Sequence, residues 1–319
     1  AERVLQTPQS KSIRVPGDGF WLGVVLVTNL AIEYRRLRAA QQRASHRQTN
    51  TSGGGTDLLY LGSPRNHLFG CYHHACPVSL EERAIVLCYP MGREYTQFHR
   101  AYRQLAVLLS EAGYPTLRFD YSGCGDSSGD WRDWNLDRWV EDVSTAIDEM
   151  RRISGAERVS LIGLRLGGTL AVMAAANRRD IDRMVLWDPV ASGPAYLDEL
   201  RALHQDMLRH GHVISQQGAS TAAYVEMLGF AFSQPFLNDL QSLDLLAFDG
   251  LLPSEVLLVQ THPRRDQRDL RHHLSHAGTR VDYRLEPLGK LWTWIEDFGQ
   301  MLVPHPLLQS VAAWITKVA

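Results

Sequence analysis

At 319 residues, with 45% hydrophobic and 21% charged residues, the chain is long enough for one large domain, and its composition excludes fibrous and disordered classes. A formal net charge of -2 argues against a general affinity for nucleic acid. Four cysteines (Cys71, Cys76, Cys88, Cys124) without C-x-x-C spacing exclude a disulfide scaffold or a zinc ribbon. They read as reduced thiols of a cytoplasmic protein, with no metal and no cofactor implied.

Residues 1–57 differ from the rest. Gly19 to Ile32 is mostly apolar but too short to span a membrane, and it contains Thr28 and Asn29. Tyr34 to Arg47 is basic and helix-forming, and Thr49 to Thr56 reads as a Gly-rich linker. Up to residue 50 this head carries Arg3, Lys11, Arg14, Arg35, Arg36, Arg38, Arg43 and Arg47 against Glu2, Asp18 and Glu33. A basic flank beside an apolar run suits peripheral association with a membrane surface, docking on a protein partner, or pairing with a second copy. These remain open together with docking on its own domain. No cleavable signal pattern is read.

The expected domain covers residues 58–319 and alternates strand with helix. Leu68 to His73, Ala84 to Tyr89, Pro115 to Asp120, Val159 to Ile162, Met184 to Trp187, Val256 to Gln260 and Arg280 to Leu285 read as strands. Phe98 to Ala112, Leu136 to Ile153 and Pro306 to Val318 read as helices. This alternation predicts an α/β fold: a mostly parallel, twisted sheet with helices on both faces. The helix-rich interval 195–252 is expected to form a helical lid.

Within this pattern Leu161-Ile162-Gly163-Leu164-Arg165-Leu166-Gly167-Gly168 stands out. An apolar strand runs into a Gly-x-X-x-Gly turn and then into a helix rich in small residues. That is the nucleophile elbow of α/β-hydrolases, in which X is normally serine. Side chains at Gly163 and Gly167 would collide with the neighbouring helix and strand. Here X is arginine, a permanent cation with no nucleophilic oxygen.

Further stretches carry the same likeness: Tyr89-Pro90-Met91-Gly92-Arg93-Glu94-Tyr95, His99-Arg100-Ala101, Leu117 to Ser127, and Leu186-Trp187-Asp188-Pro189-Val190, followed by Gly193, Tyr196 and Leu197. From about residue 60 onward the chain resembles α/β-hydrolases of the serine-aminopeptidase-like group, and within it the exosortase-A-associated hydrolases found beside natural-product gene clusters. The resemblance implies the α/β-hydrolase fold and a place in secondary-metabolite or polysaccharide chemistry. It also implies an arginine at the elbow as a feature of the subgroup. The acid normally follows the seventh strand, where Asp266 is the best candidate. The histidine normally precedes the last helix. Glu286 to Val303 contains none, so His305 is the first available.

Two classes of function follow. The first is an atypical hydrolase or acyl transferase acting on an ester, thioester or amide. Asp188, Asp266 or Glu94 would be its base, and the amides at Met91, Gly92 and Leu166 its oxyanion site. The second is a non-catalytic pseudo-hydrolase that binds a small anionic or acyl ligand, or scaffolds a partner. Arg165 at a helix N-terminus would suit an anion. It would equally suit an internal salt bridge, with Asp188 or Glu94 as the counter-charge. Cys88 and Cys124 are the replacement nucleophiles to consider.

Overall fold

A computed structural model describes residues 55–76, 83–176, 178–210, 224–262, 265–276, 278–288 and 303–317. The apolar run, basic segment and most of the linker read in residues 1–54 lie outside the described residues. No described helix is long and apolar enough to cross a membrane.

An eight-stranded sheet has the order β1-β2-β4-β3-β5-β6-β9-β10. Its strands are β1 (Thr56–Ser63), β2 (Asn66–His73), β3 (Arg83–Cys88), β4 (Thr116–Phe119), β5 (Arg158–Leu164), β6 (Ile181–Trp187), β9 (Glu255–Gln260) and β10 (Arg280–Leu285). Only the β1/β2 and β2/β4 pairs are antiparallel, and every pair from β4 to β10 is parallel. The central strands are almost continuously apolar because both faces of a parallel sheet are covered. All residues of β5 after Arg158 are buried.

The flanking helices are α1 (Gly92–Glu111), α2 (Leu136–Ser154), α3 (Leu166–Ala175), α4 (Gly193–His210), α5 (Gln234–Ser242), α6 (Arg265–His276) and α7 (His305–Ile315). α1 packs on α7, and α2 on α3. The ends of α2 follow ordinary capping chemistry. The Asn135 side chain accepts from the Arg138 amide at 2.9 Å, and Gly155 closes the helix at φ 73°.

Three expectations are corrected. α1 begins at Gly92 rather than Phe98, so the loop after β3 is shorter and Glu94 sits in the first helical turn. β1 begins at Thr56, inside the segment read as linker, because its backbone pairs with β2 along its whole length. The interval read as a helical lid contains α4 and α5 but also a hairpin, β7 (Tyr224–Met227) and β8 (Phe230–Ser233). Its two loop residues, Leu228 and Gly229, both have positive φ, as a two-residue primed turn requires.

Candidate functional site

The site is built where β5 turns into α3. Arg165 occupies the turn at φ 53° and ψ -125°, a region that side chains other than glycine seldom enter. The turn is tied down on both sides. The Arg165 amide donates to the Trp187 carbonyl at 2.9 Å, and the Arg165 carbonyl accepts from the Gly168 amide at 3.0 Å. The two glycines are needed for space. A Cβ on Gly163 would lie 2.4 Å from Gly168 Cα, and one on Gly167 would lie 2.3 Å from the Tyr89 carbonyl oxygen. The backbone is thus that of a nucleophile elbow, carrying a guanidinium where a hydroxyl would stand.

That guanidinium is 1% exposed and doubly paired. Its Nε donates to Glu94 Oε1 at 2.9 Å, and its Nη2 to Glu199 Oε2 at 2.7 Å. The Tyr196 ring lies 5.0 Å from Arg165 Cζ, within cation–π range. The Tyr196 hydroxyl donates to Glu94 Oε2 at 2.9 Å. Three elements therefore meet here: α1 through Glu94, the elbow through Arg165, and α4 through Tyr196 and Glu199. Burial alone would lower the Arg165 pKa, but Glu94 and Glu199 hold the cation firmly protonated, above its ordinary value. Burial pushes the Glu94 carboxyl up against the pull of Arg165, and Glu199 adds to that rise. Both Glu94 oxygens accept hydrogen bonds, the pattern of an ionised carboxylate. Two carboxylates thus flank one guanidinium.

Of the two carboxylates read as counter-charges for Arg165, Glu94 takes that place. Asp188 ends β6 at φ 42°, fully buried, and ties that strand to the end of β9. Its Oδ1 accepts from the Thr261 amide at 3.0 Å and its Oδ2 from the Thr261 hydroxyl at 2.5 Å. The Thr261 hydroxyl also lies 3.3 Å from His262 Nδ1. Glu199 was not foreseen, although it follows Tyr196 by three residues and so shares its helix face.

Met91 and Gly92 start α1, Gly92 at φ 56°. The rings of Phe230 and Phe232 from the β7–β8 hairpin close over Gly92, within 3.8 Å of where its Cβ would be. Leu166 is buried as the first residue of α3. Asp266 lies in the first turn of α6, where its Oδ1 accepts from the Gln267 amide at 3.0 Å. His305 starts α7 on the exposed surface. Most of the loop read as the histidine loop, residues 289–302, lies outside the described residues.

The thiols near the elbow are not activated. Burial pushes both Cys88 and Cys124 well above the ordinary thiol range, and Asp120 and Asp142 add to the rise at Cys124. The glycine-rich turn after β4 spends its amides internally. Gly123 donates to the Ser128 carbonyl at 2.8 Å, Ser122 to Asp142 at 2.7 Å and Ser128 to the His67 carbonyl at 2.9 Å. Asp120 accepts from the Tyr95 hydroxyl at 2.8 Å, a structural role.

A family model described as serine aminopeptidase S33 matches residues 82–224. The human palmitoyl-protein thioesterase ABHD10, a mitochondrial protein, is 34% identical over 86 residues, or 26% of this chain and 27% of the relative. The bovine form is 38% identical over 66 residues, covering 21% and 20%. The chain thus spans about a quarter of the length of the curated relatives it matches. Among solved structures, mouse α/β hydrolase domain-containing protein 10 superposes with a TM-score of 0.54 at 19% identity, over 82% of this chain and 100% of that one. A hypothetical protein from Pseudomonas aeruginosa reaches a TM-score of 0.57 at 16% identity, over 83% and 94%. An esterase from Pyrococcus furiosus gives 0.53 at 13% identity, over 82% and 90%. The sheet order, the elbow and these likenesses define an α/β-hydrolase fold.

Proposed function

We propose that this chain is a pseudo-hydrolase: it keeps the α/β-hydrolase frame, forms no acyl-enzyme, and takes an acyl group non-covalently. The observation that carries this is Arg165, buried at the elbow and fixed by Glu94 and Glu199. Acyl-enzyme chemistry needs a nucleophilic oxygen and a base beside it. The alternative, an atypical hydrolase or acyl transferase using Glu94 or Asp188 as base on water, meets an obstacle. Both Glu94 oxygens already accept from Arg165 and Tyr196, and both Asp188 oxygens accept from Thr261.

An arginine already paired with Glu94 and Glu199 disfavours an anionic head group. Phe230 and Phe232 over Gly92 favour an apolar one. The thioesterase named among the relatives acts on palmitoylated proteins, which supports acyl chemistry as the class of ligand. The likeness to proteins found beside polysaccharide and natural-product clusters supports a biosynthetic setting.

A fluorophosphonate probe tests the reading directly: no serine of the wild-type chain is expected to be labelled. Arg165→Ser is expected to give no p-nitrophenyl ester turnover, because no histidine lies between Glu286 and Val303 to act as base beside it. Displacement of Nile red by palmitamide in preference to palmitate is the expected ligand result. Stoichiometric serine labelling or wild-type ester turnover would sink the proposal.

For residues 1–50 we propose an association role, supported by their eight basic residues against three acidic ones. Deleting residues 1–54, which stops short of β1, is expected to lower oligomeric mass in light scattering, or to abolish sedimentation with anionic liposomes, while the domain stays folded. An unchanged mass with no lost binding would make the head a passive tail.

A further inference from the structure

The residues between β6 and β9 leave and rejoin the body at one place. The Gly193 amide donates to the Leu243 carbonyl at 2.8 Å, and the Leu245 amide to the Ala191 carbonyl at 2.8 Å. Ser192 and Asp244 form a bridge between these two bonds. Gly193 is required there, since a Cβ would lie 1.6 Å from the Leu240 carbonyl oxygen. Two backbone segments are thus clamped side by side at this root, a geometry about which the element next to it can turn.

The first element beyond the root is α4, and its anchorage is unusual. Tyr196 is buried, and Glu199, 20% exposed at its side chain, lies one helical turn further on. Both reach the elbow, and they do so through one residue. Arg165 donates to Glu199, stacks on Tyr196, and shares Glu94 with the Tyr196 hydroxyl. The ring of contacts Arg165–Glu94–Tyr196 is closed, so α4 is tied to α1 as well as to the elbow. Charge-assisted bonds of this kind weaken steeply with small displacements, and neither carboxylate is easily left without its cation.

We infer that Arg165 is a latch: it pins α4 over the elbow, and α4 turns about the Ala191–Gly193/Leu243–Leu245 root when the pin is withdrawn. The residue that replaces the nucleophile then has a task of its own. It fixes α4 against the elbow. The inference stands on the geometry of α4 and does not depend on which ligand the chain takes.

Hydrogen exchange on the full-length chain tests it. In Arg165→Met the amides of residues 193–210 are expected to exchange at least tenfold faster than in wild type, with β5 and β6 unchanged. Glu199→Gln and Tyr196→Phe remove one contact each from the α4 side and leave the elbow untouched. Each is expected to accelerate the same amides by a smaller factor. Unchanged exchange in α4 in all three variants would overturn the latch, because α4 would then be held by its apolar packing alone. Acceleration of β5 equal to that of α4 would overturn it too, making Arg165 a general stabiliser of the sheet. If Arg165→Met fails to fold, the two α4-side variants decide the matter.

Discussion

Two buried arginines, Arg165 and Arg118, solve the same problem in opposite ways. Arg165 sits among carboxylates, with Glu94 and Glu199 on two of its nitrogens. Arg118, on β4 and 7% exposed, donates from Nε to His73 Nε2 at 3.1 Å and from Nη1 to the Tyr89 hydroxyl at 2.9 Å. Among the described residues no ion pair reaches it. The first cation is compensated by charge, the second only by neutral acceptors. A charge-compensated cation cannot be removed alone, whereas one solvated by neutral groups can be removed at the cost of its hydrogen bonds.

The largest expected effect is at the elbow. Arg165→Met should destabilise the fold by about 3–5 kcal/mol, since it leaves Glu94 buried, and Glu199 half-buried, without their cation. Chemical denaturation checks this, and an unchanged midpoint would mean that the cluster is not a buried ion pair in energetic terms.

Next comes a pH effect at the second arginine. Burial and then Arg118 lower the His73 pKa from 6.5 to about 4. Arg118 Nε donates to its Nε2, so Nδ1 carries the proton and faces the Thr56 hydroxyl at 3.3 Å. A depressed folded pKa contributes stability above pH 6.5 that is lost as pH falls from 6.5 toward 4, amounting to about 3 kcal/mol at its full extent. His73→Gln keeps an acceptor for Arg118 and is expected to flatten the stability curve in that window. An identical pH dependence in wild type and variant would remove His73 from the account.

Arg118→Met should cost less than Arg165→Met, about 1–3 kcal/mol for the stranded His73 and Tyr89 groups. A loss equal to that of Arg165→Met would erase the distinction between the two sites.

The smallest effect is chemical. The charge of Arg165 is spent on its carboxylates and does not activate the thiols nearby. Iodoacetamide at pH 8 is expected to alkylate the exposed Cys76 and to leave buried Cys88 and half-buried Cys124 unmodified in the native chain. Alkylation of Cys124 at the rate of Cys76 would show that the field of Arg165 does reach it.

What could be read from the residues followed their local character. Seven strands and the elbow announced themselves through short apolar runs bounded by turn residues. The glycines at 163 and 167 fixed the turn because their constraint is steric and local. The pairing of Arg165 with Glu94 was legible as one of two candidates, because the fold expected from the resemblance sets the loop after β3 and the end of β6 beside the elbow. Glu199 was not, since it comes from a helix 34 residues on and no spacing links it to the elbow. The start of α1 was missed because Gly92 is a poor helix former and Met91-Gly92 was read as part of an oxyanion loop, whereas the helix begins at Gly92 itself. The β7–β8 hairpin was missed because Leu228 precedes Gly229 at its turn. A leucine at positive φ is held there by burial and by the bond from its amide to His204 Nδ1 at 3.2 Å.

The closed ring of Arg165, Glu94 and Tyr196 also sets the direction in which this chain can change. Replacing Arg165 by serine in one step leaves two acids close together, one buried and one half-buried, without their cation. Replacing Glu94 or Glu199 first breaks one of the two ion pairs and leaves the arginine with a single carboxylate. Every single substitution toward a working elbow therefore passes through a less stable protein, and only joint changes at positions 165, 94 and 199 avoid it. The arrangement acts as a ratchet: once a guanidinium and its two acids occupy the elbow, the path back to a serine is blocked by the stability of the intermediates, quite apart from any need for a histidine.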